Sequence, residues 1–280
     1  TEDSLVAAED TNVGNESVDI QQQEPVEISE LETTENNDLS KSSESITVDE
    51  SIAEDILATQ ADTAVVVGTV SDYLTAKGDA KLYNINLPAG VYLQAQLTTP
   101  ANADLDYDLY LLDAEGNILT GSDYYTYING TAGTLPEALG YITSGDTATY
   151  YLYVLASEGG SVSESFTLDY SVSTACDSYE IDESVRQALA FTYGAGGAYI
   201  ESRNLSSPID NDWYVITVPS SRIYDKLKIS ATTASTNTCS VEVYQNVASE
   251  GYQMKRVGSG NTISVSSGKY YIRVSNAKTM

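Results

Sequence analysis

The stretch DAKLYNINLPAGVYLQAQLTT, residues 79–99, decides the fold. Apolar side chains recur at every second position in residues 83–87 and again in residues 91–97, and Pro88-Ala89-Gly90 separates the two runs. A period of two is typical of a half-buried β-strand, and Pro and Gly between such runs indicate a turn. The stretch therefore predicts two consecutive strands joined by a short turn.

The same pattern continues to residue 172. It predicts strands at residues 64–70, 81–87, 91–98, 107–112, 117–120, 138–142, 149–155 and 165–172. Gly, Pro and Asn residues separate these runs, and no amphipathic helix of useful length interrupts them. Many short strands at this spacing favour a β-sandwich.

Later residues repeat the pattern in the same order. DNDWYVITVP (residues 210–219) corresponds to DAKLYNINLP (79–88), LKISATT (227–233) to LQAQLTT (93–99), and GKYYIRV (268–274) to TYYLYV (149–154). Three ordered matches predict a duplicated domain. The predicted fold is all-β, with two tandem β-sandwich domains of the jelly-roll or Ig-like type at residues 51–174 and 175–280. The second set stops before a counterpart of residues 165–172, so a truncated chain and an open sheet edge both stay open.

Residues 1–50 differ from the rest of the chain. They are rich in Asp and Glu, contain one basic residue, Lys41, and have no aromatic residue. Such a segment cannot bury enough apolar surface to offset the entropy of ordering it. We expect a disordered acidic leader or linker. The chain begins at Thr1 rather than Met, which indicates a processed or trimmed start.

The charge balance limits the classes of function. The chain has 13 Lys and Arg, 41 Asp and Glu and no His, so its formal net charge is −28. This charge argues against binding of nucleic acid or anionic lipid, and no apolar run is long enough to insert into a membrane. The absence of His removes the Ser–His triad and the commonest metal ligand. We therefore expect a protein that is not an enzyme.

Several motifs resemble the bacterial pre-peptidase C-terminal domain. They are Gly78-Asp79, Tyr83-Asn84-Ile85, Leu87-Pro88-Ala89-Gly90, ADLDYDLYLLDAEG (residues 103–116) and YYLYV (150–154). The resemblance covers roughly residues 60–280. It implies a secreted β-sandwich, but the sequence contains no peptidase, so proteolysis does not follow. The second copy departs from the pattern, because NTCSV (237–241) replaces the Asp-rich run.

Two acidic sets are candidate calcium sites, although no cofactor is required. Related collagen-binding sandwiches bind calcium through an acidic segment before the domain, and by this resemblance the ligands here are Glu180, Asp182, Glu183, Asp210 and Asp212. The second set is Asp104, Asp106 and Asp108, which alternate along a predicted strand and would share one face. For both sets the alternative is a structural one, with carboxylates that cap turns or face water.

Two further groups have open interpretations. Tyr124, Tyr125 and Tyr127 lie in a polar, Gly-flanked stretch, where they are either exposed anchors for a ligand or strand residues that pack on the sandwich. Cys176 and Cys239 are candidates for a disulfide, which an exported compartment permits, although sequence alone cannot place the two sulfurs within bonding distance.

These observations favour a secreted or surface-exposed, non-catalytic binding or accessory module. Its expected partner is an extracellular protein or polysaccharide, including one of a host. The alternative is an accessory or inhibitory partner of a separate secreted protease, which only the habit of the resembled family suggests. A hydrolase based on carboxylates is a third and less favoured hypothesis, because no cleft-forming motif accompanies the acidic residues.

Overall fold

The computed structural model describes residues 44–45, 65–128, 131–133, 135–174, 176, 178–190, 205–221, 226–229, 239–249, 251–259 and 262–276. In this part of the chain the regular structure is β-strand, apart from one short 3-10 helix, η1 (Val185–Gln187). The strands in chain order are β1 (Glu44–Ser45), β2 (Val65–Asp72), β3 (Ala80–Leu87), β4 (Tyr92–Thr98), β5 (Asp106–Leu112), β6 (Ile118–Ser122), β7 (Tyr125–Ile128), β8 (Thr131–Gly133), β9 (Glu137–Ile142), β10 (Ala148–Glu158), β11 (Phe166–Ser173), β12 (Leu189–Ala190), β13 (Asn211–Val218), β14 (Lys226–Lys228), β15 (Cys239–Asn246), β16 (Gln253–Ser259), β17 (Thr262–Ser264) and β18 (Gly268–Asn276).

The first sandwich consists of a β1-β3-β10-β5-β6 sheet and a β2-β11-β4-β9 sheet. Phe166 lies in its core, where its ring meets the rings of Tyr83 and Tyr107 edge-on at centroid distances of 6.5 and 6.2 Å. Edge-to-face contacts of this kind add to the gain from burial. All eight strands predicted for this region are present, and their ends lie within three residues of the predicted ones.

The second sandwich consists of a β12-β13-β18-β15-β16-β7-β8 sheet and, among the described residues, a second sheet of β14 and β17. Alternate residues of β13 and β18 face a core that includes Tyr214, Ile216, Val243, Ile263 and Ile272. The predicted all-β class is therefore confirmed.

Strand pairing in the second set repeats that in the first set. Tyr150 of β10 lies opposite Ile85 of β3, and Tyr270 of β18 lies opposite Ile216 of β13. Each set also has a two-residue strand, β1 or β12, that pairs in parallel with β3 or β13. A register shift occurs between β5 and β6 and again between β15 and β16. The internal sequence repeat is thus also a repeat of register.

One hairpin departs from this symmetry. Strands β7 and β8 follow β6 of the first sandwich but extend the main sheet of the second one. Tyr125 and Tyr127 of β7 lie opposite Gln253 and Lys255 of β16 in a parallel pairing. The two sandwiches therefore share a sheet.

The predicted acidic leader falls mostly outside the described residues. Within it, Glu44–Ser45 form β1 beside β3. Among the described residues, no helix is long and apolar enough to cross a membrane.

Candidate metal centre

The connecting segment, residues 178–190, follows the first sandwich and brings three acidic side chains together. Glu180, Asp182 and Glu183 each place a carboxylate oxygen within 4.8 Å of the other two. Asp182 and Glu183 are 2% and 1% exposed, and Glu180 is half-buried. The backbone N–H of Trp213 in β13 donates to the carbonyl oxygen of Asp182 at 2.8 Å, which ties the segment to the second sandwich.

The first sandwich holds two of these carboxylates. Tyr92 Oη donates to Glu180 Oε2 at 2.7 Å, and Gln94 Nε2 donates to Glu183 Oε1 at 2.9 Å. Tyr92 and Gln94 occupy alternate positions of β4 and therefore point to the same face of the sheet. The acidic cluster thus lies at the junction of the two sandwiches.

One oxygen of Glu183 has no hydrogen-bond partner. This atom, Oε2, is buried, and a Cβ on Gly140 would lie 2.1 Å from it, so glycine leaves the space that the carboxylate fills. Burial raises the pKa of Glu183 well above its ordinary value, and the charges of Asp210 and Asp212 raise it further against backbone hydrogen bonds that lower it. A carboxylate in this position requires a proton or a cation as counter-charge.

Asp210 and Asp212 lie buried at the start of β13. The backbone N–H of Ser206 donates to Asp210 Oδ2, and Tyr214 Oη donates to Asp212 Oδ2 at 3.0 Å. The bond from Ser206 means that the Asp210 carboxylate caps a turn. This is the structural role that the sequence predicts as the alternative to calcium binding. The structure therefore brings three of the five predicted ligands into one cluster and places the other two close enough to act on the pKa of Glu183.

The carboxylate oxygens of the cluster lie close enough to share one calcium ion. Ca²⁺ binds oxygen ligands at about 2.4 Å, so two ligands of one ion lie at most about 4.8 Å apart. Converging carboxylates, with one buried oxygen that lacks a hydrogen bond, match what a hard divalent cation requires.

The second predicted acidic set has a different arrangement. β5 begins at Asp106, while Asp104 lies exposed in the preceding turn, so the three carboxylates do not share one strand face as predicted. Asp108 is buried and accepts from Ser157 Oγ at 3.2 Å and from Tyr110 Oη at 3.3 Å. Within the described ranges, three acidic side chains converge to 4.8 Å only in the Glu180 cluster.

Sequence reasoning missed a buried acid beside this second set. Glu137 is 2% exposed, and Ser122 Oγ and the backbone N–H of Tyr124 donate to its Oε2. Burial raises the pKa of Glu137 well above its ordinary value, and the charge of Asp108 adds to the rise. Burial likewise raises the pKa of Asp106 to about 6 and that of Asp108 to about 7. Glu137 directly precedes a predicted strand, where an acidic residue normally indicates a solvated strand end.

Of the three tyrosines predicted as either exposed anchors or packed strand residues, the structure describes the side chain of Tyr124. Tyr124 is buried, its Oη donates to the carbonyl oxygen of Pro136 at 2.5 Å, and its ring lies 6.1 Å from that of Trp213. The packing interpretation is therefore correct for Tyr124, and its prediction as an exposed anchor is wrong. Tyr125 and Tyr127 lie on β7, and their side chains fall outside the described residues.

Cys176 and Cys239 do not form the predicted disulfide in this structure. Cys176 is exposed in the chain that follows β11, whereas Cys239 begins β15 and is held opposite Asn276 by strand pairing. Because the pairing of β15 fixes the position of the Cys239 backbone, a disulfide would require Cys176 to reach the start of β15.

No protein-family model matches the chain, and no curated protein matches it either. Several solved structures are similar. The pre-peptidase C-terminal domain of a collagenase from Bacillus anthracis is 16% identical, with 38% of this chain and 87% of that domain covered and a TM-score of 0.25. The periplasmic g-type lysozyme inhibitor PliG of Aeromonas hydrophila is 8% identical, with 47% and 96% covered and a TM-score of 0.27.

The CUB1-EGF-CUB2 segment of rat MASP-1 is also similar, at 10% identity, with 76% of this chain and 93% of that segment covered and a TM-score of 0.23. The first of these three structures has the name of the family that the sequence resembles. Similarity at this level does not assign the chain to a family, and membership stays a prediction.

Proposed function

We propose that the chain is a secreted or surface-exposed, non-catalytic binding module that is stabilised by calcium at the Glu180 cluster. One observation carries the calcium assignment: Glu183 Oε2 is buried without a hydrogen-bond partner in a cluster where carboxylate oxygens of Glu180 and Asp182 converge with one of Glu183. A bound cation would offset the repulsion among these groups and supply the missing partner.

The ligand that we propose is an extracellular protein or polysaccharide, and the shared hairpin is its candidate contact. β7 and β8 are the last two strands of the seven-stranded sheet, which places positions 125 and 127 near its end. Tyr residues at such positions offer large contact surfaces at low cost in side-chain entropy.

Calcium binding is tested by calorimetric titration of the chain after treatment with a chelator. We expect binding at the cluster and, at a hundredfold excess over Kd, stabilisation by about 2.7 kcal/mol. The double variant Asp182→Asn, Glu183→Gln keeps the side-chain shapes and should lose the response, whereas Asp104→Asn removes one exposed charge and should keep it. The same melting temperature in excess calcium and in chelator would refute the calcium assignment.

Ligand binding is tested on arrays of polysaccharides and extracellular proteins, with calcium present. We expect retention of one ligand class, and loss of retention in the double variant Tyr125→Ala, Tyr127→Ala. Tyr73→Ala is the matched control, because Tyr73 is 42% exposed and lies in the first sandwich outside the hairpin. If the hairpin variant still binds the ligand, the contact lies outside the hairpin. Inhibition of a secreted protease by the chain would favour the alternative function.

A further inference from the structure

We infer that calcium at the Glu180 cluster controls how firmly the two sandwiches are joined. This inference rests on the calcium site proposed above and concerns the regulation of that site. Two of the carboxylates have a double role. Glu180 and Glu183 are candidate ligands, and they also accept the hydrogen bonds of Tyr92 and Gln94 from the first sandwich.

The surroundings of the cluster are polar on both sides of the junction. Gln96 Oε1 accepts from Asn211 Nδ2 at 3.1 Å, and both side chains are buried. Gln187 of η1 donates to the carbonyl oxygen of Gly140 at 3.0 Å and to Thr120 Oγ1 at 3.1 Å. Side-chain hydrogen bonds depend on exact placement of both partners, so this part of the junction tolerates little displacement.

Without a cation, Glu183 keeps its buried carboxylate oxygen Oε2 without a hydrogen-bond partner at the junction. From the first sandwich, Gln94 satisfies only the other oxygen, Oε1, and its uncharged amide does not balance a charge. A buried carboxylate without a counter-charge is costly where water is excluded. Movement of the connecting segment away from β4 relieves this cost, and a divalent cation at the cluster removes its cause.

An apolar contact keeps the sandwiches attached in either state. Tyr124 and Leu135 of the first sandwich belong to the same buried cluster as Val185, Trp213 and Met254 of the second part of the chain. Loss of calcium should therefore loosen the junction rather than separate the sandwiches. The expected result is a wider range of relative orientations.

Linkage gives a first test, because an ion that tightens the junction must bind more weakly when the junction is loosened from outside the cluster. Gln96→Leu breaks the bond to Asn211 without removing a candidate ligand. We expect it to weaken calcium binding about fivefold, as for the loss of one neutral hydrogen bond. The control is Asn86→Leu, an exposed position on β3 that bonds to Thr149 within the first sandwich. It should leave the affinity unchanged.

Distance measurement gives the decisive test. Spin labels are placed by Val162→Cys and Val247→Cys, which are exposed sites on the two sandwiches, in a Cys176→Ser, Cys239→Ser background. Double electron–electron resonance, a pulsed electron paramagnetic resonance experiment, should show a narrow distribution of label-to-label distances with calcium and a broad one with chelator. The Asp182→Asn, Glu183→Gln variant should show one distribution under both conditions, and circular dichroism confirms that it is folded.

The outcomes separate the two proposals. If calorimetry shows calcium binding while the distance distribution is the same with calcium and with chelator, the inferred control of the junction is wrong and the calcium site stands. If calorimetry shows no calcium binding, the calcium site is wrong and the inference fails with it. Equal calcium affinity in the Gln96→Leu variant would also contradict the inference.

Discussion

Arg186 donates through Nε and Nη2 to both carboxylate oxygens of Asp123, at 2.7 and 2.5 Å. Arg186 belongs to η1 in the connecting segment, and Asp123 follows β6 of the first sandwich, so this ion pair crosses the junction. The guanidinium also lies 5.2 Å from the ring centre of Tyr252. A two-bond contact of this kind fixes orientation as well as distance.

Replacement of Arg186 by Lys should weaken the junction although it keeps the charge. Lys cannot form the paired bonds to Asp123 or stack its head group on Tyr252 in the same way. We expect a loss of about 2 kcal/mol in the free energy of unfolding, measured by urea denaturation. Lys77→Ala is the control, since Lys77 and Glu158 form an exposed ion pair that should contribute under about 1 kcal/mol. Equal losses in both variants would show that the bidentate pair has no special role.

Stability should fall as pH rises from about 4 to about 7. The pKa of Asp106 is raised to about 6 and that of Asp108 to about 7, mainly by burial. A carboxyl group with a higher pKa in the folded chain holds its proton more tightly when folded. Its contribution therefore favours folding most below about pH 4 and is lost as pH rises through about 7.

The measurement is urea unfolding at several pH values between about 4 and 8, with chelator present and constant ionic strength. Asp108→Asn imitates the protonated acid and should flatten the profile. Asp146→Asn makes the same change of charge at an exposed position and should preserve the slope. If the free energy of unfolding of the Asp108→Asn variant depends on pH as steeply as that of the unchanged chain, Asp106 and Asp108 are not the cause of the slope.

Gly140→Ala should damage the metal centre by steric means alone. The added methyl group would lie 2.1 Å from Glu183 Oε2 and 2.7 Å from Ile181 Cγ2. We expect at least about a tenfold loss of calcium affinity in calorimetry, equivalent to about 1.4 kcal/mol. Gly121→Ala forces a comparable clash with the ring of Tyr110 and should lower the melting temperature without changing calcium affinity. Unchanged affinity in Gly140→Ala would place the ion away from Glu183.

Trp213 offers a test of the apolar part of the junction. Its side chain is fully buried, and its Nε1 has no hydrogen-bond partner. Trp213→Phe removes that unsatisfied N–H together with part of the ring, so we expect a loss of only about 1–2 kcal/mol. Trp213→Ala leaves a large cavity and should cost about 3–5 kcal/mol. Urea unfolding followed by far-UV circular dichroism measures both, and equal losses would contradict this account of Nε1.

Local sequence was sufficient for much of the fold. The strands of the first sandwich follow from alternation and turn residues, because each strand buries one face and each turn needs Gly, Pro or Asn. The repeat located the second sandwich, and its register bears this out: Tyr270 faces Ile216 as Tyr150 faces Ile85. The acidic connecting segment was also recognised, through resemblance rather than through spacing.

The rest depends on contacts between distant residues. The parallel pairing of Tyr125 with Gln253 joins parts of the chain that no local pattern relates. For the same reason Tyr124 could not be distinguished from an exposed anchor, since its neighbour Trp213 comes from the other sandwich. Glu137 was missed because burial of an acid is set by what packs over it.

The hairpin shared by β7 and β8 has a consequence for folding. A fragment cut near the predicted boundary at residue 174 would leave β16 without its parallel neighbour and the Trp213 cluster without Tyr124 and Leu135. Each half would then lack part of the surface against which it packs. The two sandwiches, although repeated in sequence, should unfold in a single cooperative transition and resist excision as independent units.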